Sequence, residues 1–184
     1  MPNSPHAPLL VLIGFMGAGK STVGRLLASR LGRPFFDLDN EIVRVHGPIP
    51  EIFAAMGESG FRAIEHHQLD RLLPVMPRPG VLALGGGAFL QPANRELLTQ
   101  HGATVIFLDA PFELISARIS HGAQQRPLAR DPELLRCLYE QRRPVYQLAD
   151  YAYPSTPEEP GVLVNSLVRL VERLAACAPK RDTL

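Results

Sequence analysis

The 184-residue chain lacks most features that would place it outside a water-filled compartment or make it depend on cross-links. It has two cysteines, Cys137 and Cys177, with no metal-ligand spacing, which argues against a disulfide framework or a zinc site. No apolar run approaches the ~18 residues of a membrane span. Residues 1–8 carry no basic stretch, so no secretory signal is expected. A net charge of +1 argues against a nucleic-acid partner that needs a broad basic surface. Lysine is scarce: of 19 basic residues only Lys20 and Lys180 are lysines. Internal repeats and long linkers are missing too. The expectation is a soluble cytoplasmic protein with one domain over 1–184 and loose tails at 1–8 and 178–184. A hydrophobic content of 46% supplies a full core for it.

Apolar runs alternate with helical patterns along this chain. Strands are expected at 9–13, 34–37, 81–84 and 104–108, with a weaker one at 151–153. Helices are expected at 22–31, 40–46, 49–56, 60–73, 92–100, 111–119, 132–143 and 162–176. The first has Val23, Leu26, Leu27 and Leu31 on one face and is stopped by Gly32. Val162 to Val164 also fits a strand, but Leu167, Leu170, Val171 and Leu174 favour helix. Such βαβα alternation implies an α/β fold with a parallel, doubly wound sheet. Ligands bind such sheets at the carboxyl ends of the strands. That edge should hold the segment after the first strand together with Asp37, Gly85 and Asp109.

After the first strand stands Gly14-Phe15-Met16-Gly17-Ala18-Gly19-Lys20-Ser21-Thr22, a G-x-x-x-x-G-K-[ST] pattern. Its glycines let backbone N–H groups turn inward around phosphate oxygens, and the following helix aims its positive end at the same anion. Lys20 would reach the β- and γ-phosphates of a nucleotide, and the Ser21 hydroxyl would ligate magnesium. A chain this rich in arginine still places lysine here, a compact point charge on a flexible stem rather than a planar fork.

Other residues suit an acceptor. Asp37 and Asp39 follow the second strand, and period-two spacing would put both on one side if the strand continued. Beside a phosphate site they suit magnesium-water binding or deprotonation of a hydroxyl; Asp39 would equally serve as the N-cap of a helix from Asn40. Gly85-Gly86-Gly87 bares the backbone after the third strand, either for close ligand approach or as a plain flexible loop. Arg62 would hold a carboxylate with Glu65 orienting it, or the two form a solvated surface pair. Arg126 lies in the polar stretch 121–131, which has the look of a mobile loop, and an Arg there would neutralise a transferring phosphoryl group. Arg142 and Arg143 end a helix, where cations are favourable anyway. His66 and His67 carry no assigned role.

The set resembles the shikimate kinase family over nearly the whole chain, from about Leu9 to Val171. The elements are the phosphate loop from Gly14; Asp37 and Asp39 as D-x-D; Ile49-Pro50-Glu51-Ile52-Phe53; Gly57-Glu58-Ser59-Gly60-Phe61-Arg62-Ala63-Ile64-Glu65; Gly85 to Ala88; Arg126-Pro127-Leu128; and Arg142 to Tyr146 as R-x-P-x-Y. The resemblance implies transfer of the ATP γ-phosphoryl group to the 3-hydroxyl of shikimate, with Mg2+, in a cytoplasmic monomer. Asp39 would hold shikimate and take its proton, and Asp37 would bind magnesium through water. Arg62 and Arg142 would hold the substrate carboxylate, with the Gly85-Gly86-Gly87 backbone against the substrate and Phe53 and Phe61 walling the pocket. ATP would lie against Gly17, Ala18, Gly19, Lys20, Ser21 and Thr22, with Arg126 coming from a lid. The implied fold is nucleoside-monophosphate-kinase-like, with sheet order 2-3-1-4-5, a substrate-binding insertion near 38–73 and a lid near 119–131.

The chain departs from the family pattern at Ala129, in a shorter Gly47-Pro48-Ile49 segment, and at 157–160, where no basic residue stands by the adenine. Arg118 would serve the adenine instead. Three other functions fit parts of the pattern. A kinase for another hydroxy acid such as gluconate should lack the F-R-x-x-E, G-G-G-A and R-x-P-x-Y set. A non-catalytic sensor conflicts with the presence of Lys20, Ser21, Asp39 and Arg126. A GTPase needs an N-K-x-D-type motif, which a chain with lysine only at 20 and 180 does not have.

Overall fold

The computed structural model describes residues 8–121, 131–155 and 160–177. In chain order the elements are β1 (Leu10–Ile13), α1 (Lys20–Leu31), β2 (Phe35–Asp37), α2 (Leu38–His46), α3 (Ile49–Leu72), β3 (Val81–Ala83), a 3-10 turn (Ala88–Leu90), α4 (Pro92–Gln100), β4 (Thr104–Asp109), α5 (Phe112–His121), α6 (Pro132–Tyr146), β5 (Tyr151–Pro154) and α7 (Pro160–Cys177). The strands form one sheet in the order β2-β3-β1-β4-β5, the order the resemblance implied. All four pairings are parallel.

The middle strand explains the sheet. Leu10, Val11 and Leu12 of β1 are wholly buried, as a parallel strand covered on both faces requires. Each such side chain contributes about 1.5–3 kcal/mol relative to an exposed one. Leu12 pairs with Ala83 on one side and Ile106 on the other, so β1 and β3 end within a residue of each other while β4 runs on to Asp109. The segments after β1 and β3 therefore emerge side by side.

Four local readings need correction. Leu26 of α1 is exposed; Gly24 and Ala28 join Val23, Leu27 and Leu31 on the buried face. The cause is a close contact, since a Cβ on Gly24 would lie 2.4 Å from the Phe35 ring. β2 stops at Asp37, and Asp37 rather than Asp39 caps the next helix, accepting from the Asp39 N–H at 3.1 Å. The strand periodicity that would have aligned the two acids ends there. Residues 49–72 read as one helix with a break at Gly57 (φ 68°), so the two expected segments are present but joined. That left-handed conformation suits glycine and turns the chain between them. α6 runs on through Pro144 to Tyr146, because a proline in the last turn removes one hydrogen bond without ending the helix. Residues 162–164 are helical, within α7.

Candidate active site

The segment after β1 folds as a phosphate-binding loop. Gly14, Gly17 and Gly19 have positive φ angles of 144°, 78° and 96°. Lys20 opens α1 and bends back over the loop, its Nζ donating to the carbonyls of Gly14 at 2.9 Å and Phe15 at 3.0 Å. Arg118 of α5 donates to the Gly17 carbonyl at 3.1 Å, and the Ser155 hydroxyl donates to that of Ala18 at 3.3 Å. Thr22, next along α1, is exposed.

Ser21 and Asp37 meet across the ends of β1 and β2, the hydroxyl donating to Asp37 Oδ2 at 2.5 Å. Two hard oxygen donors beside a phosphate loop fit magnesium, which is held by one or two protein oxygens plus substrate phosphates. No cluster of three or more His, Cys, Asp or Glu that could hold a metal occurs among the described residues.

The glycine triplet is where the acceptor residues converge. A Cβ on Gly85 would lie 2.5 Å from Asp39 Oδ1 and 2.9 Å from Glu65 Oε1. One on Gly87 would lie 2.3 Å from the Arg62 guanidinium. Gly86 lies against the phosphate loop, its ideal Cβ position 3.4 Å from the Met16 nitrogen. Bare backbone thus lets two carboxylates and a guanidinium press in from α2 and α3, within reach of the phosphate loop.

Arg62 donates to Glu65 Oε2 at 2.8 Å and to Glu58 Oε1 at 3.2 Å. Gln91 Nε2 also donates to Glu65 Oε2, at 3.1 Å. Burial pushes the Glu65 carboxyl above the usual carboxylate range; Arg62 pulls it back and nearby Asp39 pushes it up again. Burial also works against the charge on Arg62, but Glu65 and Glu58 outweigh it and hold the guanidinium protonated. Phe61 stacks on Phe53 with ring centroids 4.6 Å apart, and Arg62 lies over the Phe61 ring at 5.2 Å.

The two arginines that end α6 part company. Arg143 pairs with Asp109 through two contacts of 3.1 and 2.6 Å, which ties α6 to the end of β4. Asp109 is at the expected edge, but it is engaged there as a clamp. Arg142 lies over the Phe15 ring of the phosphate loop at 5.8 Å. Its neighbour on the helix is Tyr146, whose hydroxyl donates to the Gly86 carbonyl and also bonds Arg142. Burial pushes that phenol up to about 12.

Of the candidate residues, Lys20, Arg118 and Arg142 lie against the phosphate loop, Ser21 pairs with Asp37, and Asp39 and Arg62 gather at the glycine triplet, with Phe61 and then Phe53 stacked beyond Arg62. Arg126 and most of the expected lid lie outside the described residues, as do 157–159. Sequence reasoning missed Tyr146 and Gln91 as parts of the site. Tyr146 stands four residues after Arg142, a same-face spacing that a helix ending at Arg143 conceals. Gln91 carried no signal at all; its partner is 26 residues away.

A family model described as shikimate kinase matches residues 16–172. The chain belongs to the shikimate kinase family. It is an ATP-dependent kinase that phosphorylates shikimate, on the route to aromatic amino acids. The shikimate kinase of Ruegeria pomeroyi is 44% identical over 180 residues, covering 95% of this chain and 87% of its own. The solved shikimate kinase of Acinetobacter baumannii, in complex with shikimate, is 37% identical with a TM-score of 0.83, over 95% of this chain and 97% of that one. A gluconokinase of Sinorhizobium meliloti superimposes with a TM-score of 0.64 at 21% identity, over 96% of this chain and 100% of that one. At that identity it shares the fold alone, so the gluconate alternative gains no support from it.

Proposed function

We propose that the chain transfers the ATP γ-phosphoryl group to the 3-hydroxyl of shikimate with the following division of labour. Lys20 leaves the loop carbonyls to engage the β- and γ-phosphates, among N–H groups that the loop glycines turn inward. Ser21 and Asp37 hold the metal, Asp37 through water. Magnesium supplies neutralisation of phosphate charge and alignment of the phosphates. Asp39 accepts the proton of the attacking hydroxyl. Arg62 and Arg142 grip the carboxylate, with Phe53 and Phe61 against the ring and the triplet backbone against the substrate. Arg118 lies on the nucleotide side, and Arg126 reaches the phosphates from a lid near 119–131. Positioning and charge neutralisation carry the rate, because phosphoryl transfer needs little covalent help from protein.

The observation that carries this reading is the convergence at the glycine triplet. It brings an acid, a guanidinium and the phosphate loop against one stretch of backbone. A hydroxy acid gripped by Arg62 has its hydroxyl side towards Asp39 and the phosphates. No helix of the described residues is long and apolar enough to cross a membrane, which fits a cytoplasmic enzyme.

The test is a coupled ADP-release assay with shikimate, quinate and gluconate, each with and without magnesium. Turnover with shikimate that needs magnesium, and little with gluconate, is expected. Equal turnover with gluconate would overturn the acceptor assignment.

A further inference from the structure

Gln91 ends the 3-10 turn that follows the glycine triplet, and it also starts α4. Its N–H bonds the Ala88 carbonyl, and its carbonyl accepts from the N–H groups of Asn94 and Arg95. The backbone is thereby fixed from both sides, and the half-buried side chain points at Glu65. Asn94 and Arg95 add to the fixation: Asn94 donates to the Ala88 carbonyl at 2.8 Å, and Arg95 to those of Phe89 and Leu90, both at 2.9 Å.

Glu65 needs this support. It is a carboxylate with 1% exposure, and the donors Arg62 and Gln91 both bond its Oε2. Oε1 accepts no hydrogen bond among the described residues. A buried carboxylate holds its charge only through such donors. With the amide gone, only Arg62 would remain, and the cheapest response would be to take a proton. A neutral carboxyl grips a guanidinium far less firmly than a charged one.

We infer that Gln91 is a positioning residue for substrate binding: its amide holds Glu65, and Glu65 holds Arg62 ready for the carboxylate of shikimate. This rests on the assignment of Arg62 to that carboxylate. The groups that act on Glu65 are Arg62 from its own helix, Asp39 from α2, Tyr146 from the end of α6, and the uncharged amide of Gln91 at the N-cap of α4. Only Gln91 among them supports the charge of Glu65 without bringing a charge of its own to the pocket.

Two substitutions give opposite signs. Gln91→Met keeps the length but cannot donate, so Glu65 protonates more readily as pH falls. Gln91→Glu keeps the shape; its new carboxyl repels Glu65 when ionised, and as pH falls its proton restores a donor. The measurement is the dissociation constant of shikimate and of magnesium–ATP by calorimetry from about pH 6 to 8.5, with wild type and Arg62→Lys alongside. Gln91→Met is expected to weaken shikimate about threefold to tenfold, a fraction of one charge-assisted hydrogen bond, with the deficit growing towards low pH. Gln91→Glu should show a deficit that shrinks towards low pH. Magnesium–ATP should bind all of them within about twofold of wild type, since the nucleotide lies on the other side of the cleft. Unchanged shikimate affinity in Gln91→Met, or the same pH slope in both variants, overturns the proposal. If Arg62→Lys binds shikimate normally, the assignment of Arg62 fails and takes this inference with it. If Arg62→Lys binds weakly and Gln91→Met does not, only the role of Gln91 fails.

Discussion

In the proposed arrangement the nucleotide phosphates are held mainly by one short segment, residues 14–22, with Arg118 added from α5, whereas the acceptor side draws on α2, α3, the glycine triplet and α6. On the first side a local run of glycines, a lysine and a serine supplies most of the groups. On the second side, beside the triplet backbone, the proposed groups are the side chains of Asp39, Arg62 and Arg142. Each leans on a neighbour, Arg62 on Glu65 and Glu58, Arg142 on Tyr146. Phosphate is the same in every nucleotide, and one loop suffices to hold it. A small hydroxylated acid is recognised by its outline, which takes groups converging from several directions.

That contrast can be broken by mutation. The largest effect is expected from Asp39→Asn, which should lower kcat by roughly 10²- to 10⁴-fold, the usual contribution of a positioned base. ATP affinity should hold, and equilibrium nucleotide binding checks it; a parallel loss would mean the two sides are not separable. Next comes Arg62→Lys, which keeps the charge but loses the fork. A charge-assisted contact is worth roughly 1.5–3 kcal/mol, so KM for shikimate should rise about 10- to 100-fold with KM for ATP nearly unchanged.

Gly87→Ala sharpens the comparison within a single loop. Its Cβ would lie 2.3 Å from the Arg62 guanidinium, whereas that of Gly86→Ala would sit 3.4 Å from its nearest neighbour. The first should cost about 1–3 kcal/mol in denaturant unfolding and weaken shikimate; the second should cost clearly less.

The smallest effect is expected at Tyr146. Its phenol is raised from 10.0 to about 12, so the folded state favours the protonated form. That preference stabilises the fold fully below pH 10.0 and disappears as pH rises towards about 12. Tyr146→Phe should lose about 0.5–1.5 kcal/mol below that window, with the gap to wild type closing inside it. Urea melts at pH 9 and pH 11 would show a constant gap if the hydroxyl of Tyr146 did not matter.

The strands, their parallel arrangement and the phosphate loop were legible because they depend on local pattern, namely buried apolar runs and glycines before a helix, whereas the order of the strands came only with the family resemblance. The residues proposed for the acceptor, Asp39, Arg62 and Arg142, stand out in the sequence only as a set, since an isolated acid or arginine reads equally well as a cap or a surface pair. What sequence could not reveal depends on distance in the chain. The face of α1 was misjudged at Leu26 because it is set by the Phe35 ring against Gly24. Two acids at spacing two compete for the cap of α2, and it is Asp37, two residues before the Asp39 of the alternative reading, that takes it. Gln91 was invisible because nothing near it in the chain needs it; the need arises at Glu65 in another helix.

The glycine triplet has one more consequence, and it concerns polarity. The Gly85 carbonyl accepts from the Ala88 N–H, the Gly87 carbonyl from the Leu90 N–H, and the Gly86 carbonyl from the Tyr146 hydroxyl. All three oxygens are thus engaged in shaping the turn or in holding α6. With one lone pair of each oxygen already taken, the lining such a turn offers to a small molecule is weighted away from accepting. Hydroxyl, carboxylate and phosphoryl oxygens therefore complement the turn better than an ammonium group does.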